Sequence, residues 1–146
     1  HRSVHCRGPL GRCVHHRRPP SPDEPGARDG RRTDLLFCNE PEATVLHEEG
    51  PAEAVPTLVI KQGPGGATAF DDGREQSHPG FAVDPVDTTG AGDAFAAGFL
   101  VARENGLERA LAVGNACGAL AARTPGARAR VKWRDVQALL DIGPRG

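Results

Sequence analysis

The stretch Asp87-Thr88-Thr89-Gly90-Ala91-Gly92-Asp93 sets two acids around a turn containing two glycines, then runs into the apolar sequence AFAAGFL through Leu100. A helix N-terminus leaves backbone N–H groups unpaired and carries the positive end of the helix dipole. Glycine lets an oxyanion come close to those amides, so Gly90, Ala91 and Gly92 read as a cradle for a phosphate. A carboxylate beside a bound phosphate is electrostatically awkward unless it has work to do. Accepting a proton from an attacking hydroxyl is such work, and Asp93 stands where it would be done. A simpler reading competes, in which Asp93 caps the first turn and the glycines only make the bend.

Other phosphate-binding patterns are excluded. The chain has no GxxxxGK[ST] motif, so it is not a P-loop protein. GPGGAT (63–68) supplies Gly63 and Gly65 but has Thr68 where a third dinucleotide-binding glycine belongs. It also leads into a strand-like run, where that motif requires a helix.

The elements that must position this turn follow from periodicity. TDLLFCN (33–39) reads as a short buried strand, and EPEATVLHEEG (40–50) as a helix with acids in its first turn and Gly50 at its end. PTLVIKQG (56–63) is a second buried strand. GATAF and DDGRE then read as a strand and a hairpin turn on Asp72-Gly73. Three helices are predicted beyond the turn, over about 91–105, 107–123 and 133–141. Phe95, Phe99 and Ala102 share a face of the first, and Leu107, Leu111 and Gly114 a face of the second. Strands alternating with helices predict a layered α/β fold with a largely parallel sheet.

Composition bounds the rest. The 146 residues suit one domain with a real core, and the net charge of −1 gives no overall pull toward nucleic acid or a membrane. No apolar run approaches the ~18 residues that a membrane span needs, and the first residues lack the apolar core of a signal peptide. Cys6, Cys13, Cys38 and Cys117 form no CxxC pair and read as reduced thiols of a cytoplasmic protein. Residues 1–32 are rich in Arg, His and Pro, with no helical or strand period. Such a segment is expected to be disordered. His5, Cys6, Cys13, His15 and His16 match no common zinc-finger spacing, and an arginine-rich nucleic-acid arm would need interleaved aromatics. With no methionine at position 1 or elsewhere, a shifted reading frame or misplaced start is the preferred reading of this segment.

VDTTGAGDAFAAGFL closely resembles the C-terminal signature of the ribokinase-like, PfkB-type carbohydrate kinases. DLLFCNEPEA resembles that family's NxxE segment, LVIKQGPGGA its nucleotide-loop strand, and VGNACGALAARTPGA the helix and loop that close over the base and a monovalent cation. The four motifs occur in the family's order and span roughly residues 33–146. The resemblance implies the C-terminal part of a three-layer α/β/α ribokinase-like fold. It implies ATP-dependent phosphorylation of a hydroxyl of a small sugar, with Mg2+ and a potassium-like ion as cofactors, and a homodimer in full-length members.

Residue by residue, the resemblance makes Asp93 the base that takes the sugar hydroxyl's proton. The amides of Gly90, Ala91 and Gly92 become the anion hole for the transferred phosphoryl group. Asn39 and Glu42 would orient phosphates and magnesium through water, although Asn39-x-x-Glu42 is equally a capping box. Lys61, Gly63 and Gly66 would line the nucleotide, and Asn115 would sit beside the adenine. Asp87 and the carbonyls of Thr89, Ala121, Thr124 and Gly126 would surround the monovalent cation. Family chains are about twice as long, and the sugar-binding half has no counterpart here. Two functions therefore stand open: the phosphoryl-transfer half of a sugar kinase, or a non-catalytic remnant that at most binds nucleotide or pairs with another chain. Ribose, fructose, 2-keto-3-deoxygluconate and nucleosides all fit the family as acceptors.

Overall fold

The computed structural model describes residues 33–49, 55–126 and 130–144. The expectations for residues 1–32, including disorder and the zinc reading, lie outside the described residues, as does the stop at Gly50. Strand β1 (Leu35–Asn39) leads into helix α1 (Glu40–Glu49), and β2 (Thr57–Lys61), β3 (Ala67–Asp71) and β4 (Arg74–His78) follow. Helices α2 (Ala91–Ala102), α3 (Leu107–Ala122) and α4 (Trp133–Ile142) complete the described chain. The single helix expected over 91–105 ends at Ala102. Arg103–Asn105 tighten into a 3-10 turn, and Gly106 at φ 100° redirects the chain into α3.

The four strands form one sheet in the order β1-β2-β3-β4. β1 and β2 pair in parallel, with Asn39 opposite Lys61. The other two pairings are antiparallel, so the described sheet is mixed, and the largely parallel sheet expected from the sequence is confined to β1/β2. Connection length is the reason. α1 supplies the crossover that parallel neighbours need, whereas β2–β3 and β3–β4 are joined by turns too short to reverse direction twice. The β3–β4 turn has both central residues at positive φ, Asp72 at 47° and Gly73 at 83°. That is the primed turn whose twist matches a hairpin.

Alternation along the strands sorts the core into layers. Leu35, Phe37, Val59, Ala67 and Ala69 face α2 and α3, meeting Phe95, Phe99, Ala110 and Leu111. Leu36, Cys38, Leu58, Ile60 and Phe70 face the other way, onto Ala43 and Leu46 of α1. The sheet thus lies between α1 and the α2/α3 pair, the three-layer arrangement that the resemblance implies. α4 packs on α3 through Val136, Val113, Ala116 and Cys117.

α2 and α3 approach closely because glycines line their contact. A Cβ on Gly98 would lie 2.6 Å from Cys117 Sγ, and one on Gly118 would lie 3.2 Å from the Ala91 carbonyl oxygen. The far end of α2 is tied to the sheet by a polar clasp. Arg103 donates to Thr57 Oγ1 at 2.9 Å, and Thr57 Oγ1 donates to Asp71 Oδ1 at 2.6 Å. Beside that end, Val101, Ala102, Asn105, Arg109 and Trp133 line an open groove of about 520 Å³, remote from Asp93.

Candidate active site

The site gathers at the C-terminal ends of the parallel pair β1 and β2, where the N-terminus of α2 reaches them. Gly90 sits at the N-cap position of α2 with φ 79°, a left-handed conformation that favours glycine. The Ala91 N–H closes a turn onto the Thr88 carbonyl at 3.1 Å, and Ala94 N–H begins the helical ladder onto Gly90. Of the amides expected to form the anion hole, Ala91's is therefore engaged, while those of Gly90 and Gly92 meet no acceptor among the described residues. The Asp93 N–H is likewise open. The Asp93 carboxylate is exposed, and no side chain caps α2. The capping alternative for Asp93 is not realised.

Lys61 closes over this turn. A Cβ added to Gly92 would lie 2.9 Å from Lys61 Nζ, so glycine is what leaves room for the ammonium. No carboxylate among the described residues pairs with that ammonium. A cation parked on the positive end of a helix dipole is unfavourable by itself and becomes favourable once an anion sits between them. The donor set therefore fits a phosphate: one ammonium plus the open amides of Gly92 and Asp93.

Asn39 and Glu42 form the capping box anticipated for them. The Asn39 N–H donates to Glu42 Oε2 and the Glu42 N–H donates to Asn39 Oδ1, both at 2.9 Å. The box starts α1 at the strand end beside Lys61, leaving one oxygen of Glu42 exposed to solvent. Burial pushes the neighbouring Cys38 thiol up from its usual range; the Glu42 charge adds to that and Lys61 opposes it. The two opposite charges thus flank the same point.

The nucleotide-loop glycines divide. Gly63 (φ 54°) begins the 3-10 turn Gly63–Gly65 with open space where a side chain would project. Gly66 (φ 94°) is buried, and a Cβ there would run into the backbone of His78, Pro79 and Gly80. That backbone crossing alone requires glycine at this position, whether or not a nucleotide also approaches it. Asn115 is buried in α3, and its side-chain amide hydrogen-bonds His78 Nδ1 at 3.2 Å. It lies one helical turn from Gly118, which touches Ala91 at the glycine turn. His78 was not singled out from the sequence; the only signal was a histidine directly before Pro79-Gly80 at a strand end.

Asp87 organises a second cluster. Its Oδ1 accepts the Thr89 N–H and its Oδ2 the Gly126 N–H, both at 2.9 Å. The hydrogen bonds to Thr89, followed by that to Gly126, hold its carboxyl below the usual carboxylate range. The Val86 and Asp87 amides donate to Ala122 O at 2.7 and 3.0 Å, drawing both loops together. Ala121 O accepts the Thr124 N–H, while the carbonyls of Thr89, Thr124 and Gly126 accept nothing among the described residues. These carbonyls belong to the loops that Asp87 joins, and carbonyl oxygens together with a carboxylate are ligands for a hard cation. Ala121 is the member of the expected set already in use.

A mixed sheet covered on both faces, with a glycine turn opening a helix at the ends of its parallel strands, makes this an α/β protein. It matches solved ribokinase-like structures such as a ribokinase II of E. coli (TM-score 0.67, 27% identity over 75% of this chain and 40% of that one). The fructokinase of Vibrio cholerae O395, solved with fructose, ADP and a calcium ion, matches with TM-score 0.64 and 32% identity over 73% of this chain and 41% of its own. The chain belongs to the pfkB family of carbohydrate kinases, whose family model matches residues 14–134. That match begins inside the Arg-, His- and Pro-rich segment. An ATP-dependent ribose-1-phosphate kinase of Halopiger xanaduensis is 42% identical over 120 residues, covering 72% of this chain and 40% of the relative. Fructokinase-2 of Zea mays is 35% identical over 133 residues, covering 74% of this chain and 39% of the relative. The chain thus spans about two fifths of the length of the curated relatives it matches.

Proposed function

We propose that this chain carries the phosphoryl-transfer and nucleotide half of an ATP-dependent sugar kinase site. The observation that carries the reading is Lys61 Nζ closing over Gly92 at the open N-terminus of α2, beside an exposed Asp93. Lys61 and the Gly92 and Asp93 amides hold the transferring phosphate and receive the charge it develops. Asp93 accepts the proton of the attacking sugar hydroxyl at its carboxylate. This division suits phosphoryl transfer, where positioning and charge stabilisation supply most of the catalysis.

Asn39 and Glu42 would hold Mg2+ through water, and the Asp87 cluster a monovalent ion such as K+. Mg2+, when bound, neutralises phosphate charge. Gly63 lines the nucleotide and Asn115 its base. The acceptor is a small sugar, in keeping with the sugar kinases among the relatives. A cytoplasmic setting suits the free thiols of Cys38 and Cys117. No helix among the described residues is long and apolar enough to cross a membrane.

A second reading, nucleotide binding without turnover, is favoured by the coverage of only 40% of the ribose-1-phosphate kinase. Titrating the 146-residue chain with ATP by calorimetry, then assaying ADP release with ribose, fructose and ribose 1-phosphate, separates the two. Sugar-dependent release, by this chain or by one completed with the sugar-binding half, supports the kinase reading; binding without release in both supports the second, and no binding at all removes both.

A further inference from the structure

Asn115 is an amide held inside the protein with only one end partnered, and what holds it decides which end it offers. His78 Nδ1 accepts the Gly80 N–H at 3.1 Å and lies 3.2 Å from the Asn115 side-chain amide. A backbone N–H can only donate, so Nδ1 carries no proton and the imidazole is the Nε2–H tautomer. The atom that Asn115 turns toward Nδ1 must then be its NH2 group, and Oδ1 points the other way. No described donor reaches Oδ1, and no buried side-chain polar atom among the described residues is left without a partner, so Oδ1 meets solvent. His78 is itself held in place: its ring packs on Phe81 with centroids 5.3 Å apart, and its carbonyl abuts Gly66.

We propose that His78 is a positioning residue that locks the Asn115 amide with Oδ1 facing the bound base, making the site select a purine that carries a 6-amino group. The inference rests on the reading of Asn115 as the residue beside the base. An amino group donates to Oδ1, whereas a purine with a carbonyl at that position sets two acceptors against each other. Were the amide free to flip, Asn115 would present NH2 to the second base as readily as Oδ1 to the first, and selectivity would vanish. Burial lowers the His78 pKa and keeps the ring neutral, with the carboxylate of Glu108 on α3 opposing that shift. Ala67, its neighbour on β3, is uncharged.

ADP and IDP share ribose and phosphates and differ in the base at this position, so their affinity ratio reads the orientation of Oδ1. The 146-residue chain is expected to bind ADP about tenfold more tightly than IDP, since one base leaves an acceptor unpaired. His78→Phe keeps ring volume but removes Nδ1, and should bring the ratio near unity by tightening IDP binding while ADP affinity stays nearly the same. His78→Asn places Oδ1 where Nδ1 was and should restore the preference. A ratio unchanged in His78→Phe, or near unity in the wild type, overturns the proposal while leaving the nucleotide site standing. A wild-type chain that binds neither ligand removes the nucleotide site and this proposal with it. Imidazole nitrogen shifts of the unmutated chain are an independent test, because an Nδ1–H tautomer at His78 at neutral pH also overturns it.

Discussion

At the scale of single residues, the site turns on three side-chain facts: an exposed carboxylate at Asp93, an ammonium at Lys61, and no side chain at Gly92. Asp93 does no structural work, since it neither caps α2 nor pairs with a cation among the described residues. Replacing it by Asn should therefore leave folding intact and nucleotide affinity equal or tighter, since a like charge beside the phosphates is removed. In a chain completed with the sugar-binding half, sugar-dependent ADP release measured in a coupled assay should fall about 10²- to 10⁴-fold, the range for losing a general base. Near-wild-type turnover would remove Asp93 from the chemistry. Gly92→Ala tests the phosphate cradle from the other side. Its Cβ would displace the flexible Lys61 ammonium now 2.9 Å away. Thermal stability should change little while ATP affinity drops, and equal affinity in calorimetry would mean that Lys61 does not face the phosphates.

At the scale of elements, the contact between α2 and α3 sets how rigidly the glycine turn is held. Gly98→Ala would put a methyl 2.6 Å from Cys117 Sγ and 3.0 Å from the Val113 carbonyl, with backbone on one side unable to yield. Overpacking of this kind costs about 1–3 kcal/mol, and should appear as a lower Tm. Asn39→Ala removes one half of the box that starts α1 and should cost about 1 kcal/mol; an unchanged Tm would show that the box contributes nothing. Much of this layer was legible in the sequence. The shared faces of Phe95, Phe99 and Ala102 and of Leu107, Leu111 and Gly114, the Asp72-Gly73 hairpin and the Asn39/Glu42 box follow from local periodicity and turn chemistry. What was not legible depends on contacts distant in sequence. Lys61 meets Gly92 across 31 positions, and Asn115 meets His78 across 37. Gly66 shows the converse, because a glycine needed by a backbone crossing looks the same in sequence as one needed by a ligand.

At the scale of the whole molecule, acid sensitivity follows from two groups whose folded pKa values are depressed. His78 lies below its ordinary 6.5, mainly through burial. A group depressed on folding stabilises the fold above its unfolded pKa, and that contribution is lost as pH falls through the folded value. Stability should therefore decline as pH drops below about 6.5. A second decline should follow below the ordinary 3.8 of Asp87, whose carboxylate is held by the Thr89 and Gly126 amides. Denaturant unfolding across this range checks both steps. His78→Phe should abolish the first and spare the second.

The strand order β1-β2-β3-β4 also repeats the order of the chain, with a consequence for how the molecule comes together. β2, β3 and β4 can zip up locally as successive hairpins, an early and fast step. Seating Gly118 on Ala91 joins residues farther apart in the chain than either hairpin pairing, so the glycine turn is expected to form after the hairpins. A nucleotide that needs the finished turn meets nothing to hold during the climb to the folding barrier. ADP should accordingly lengthen the lifetime of the native chain while leaving its refolding rate untouched.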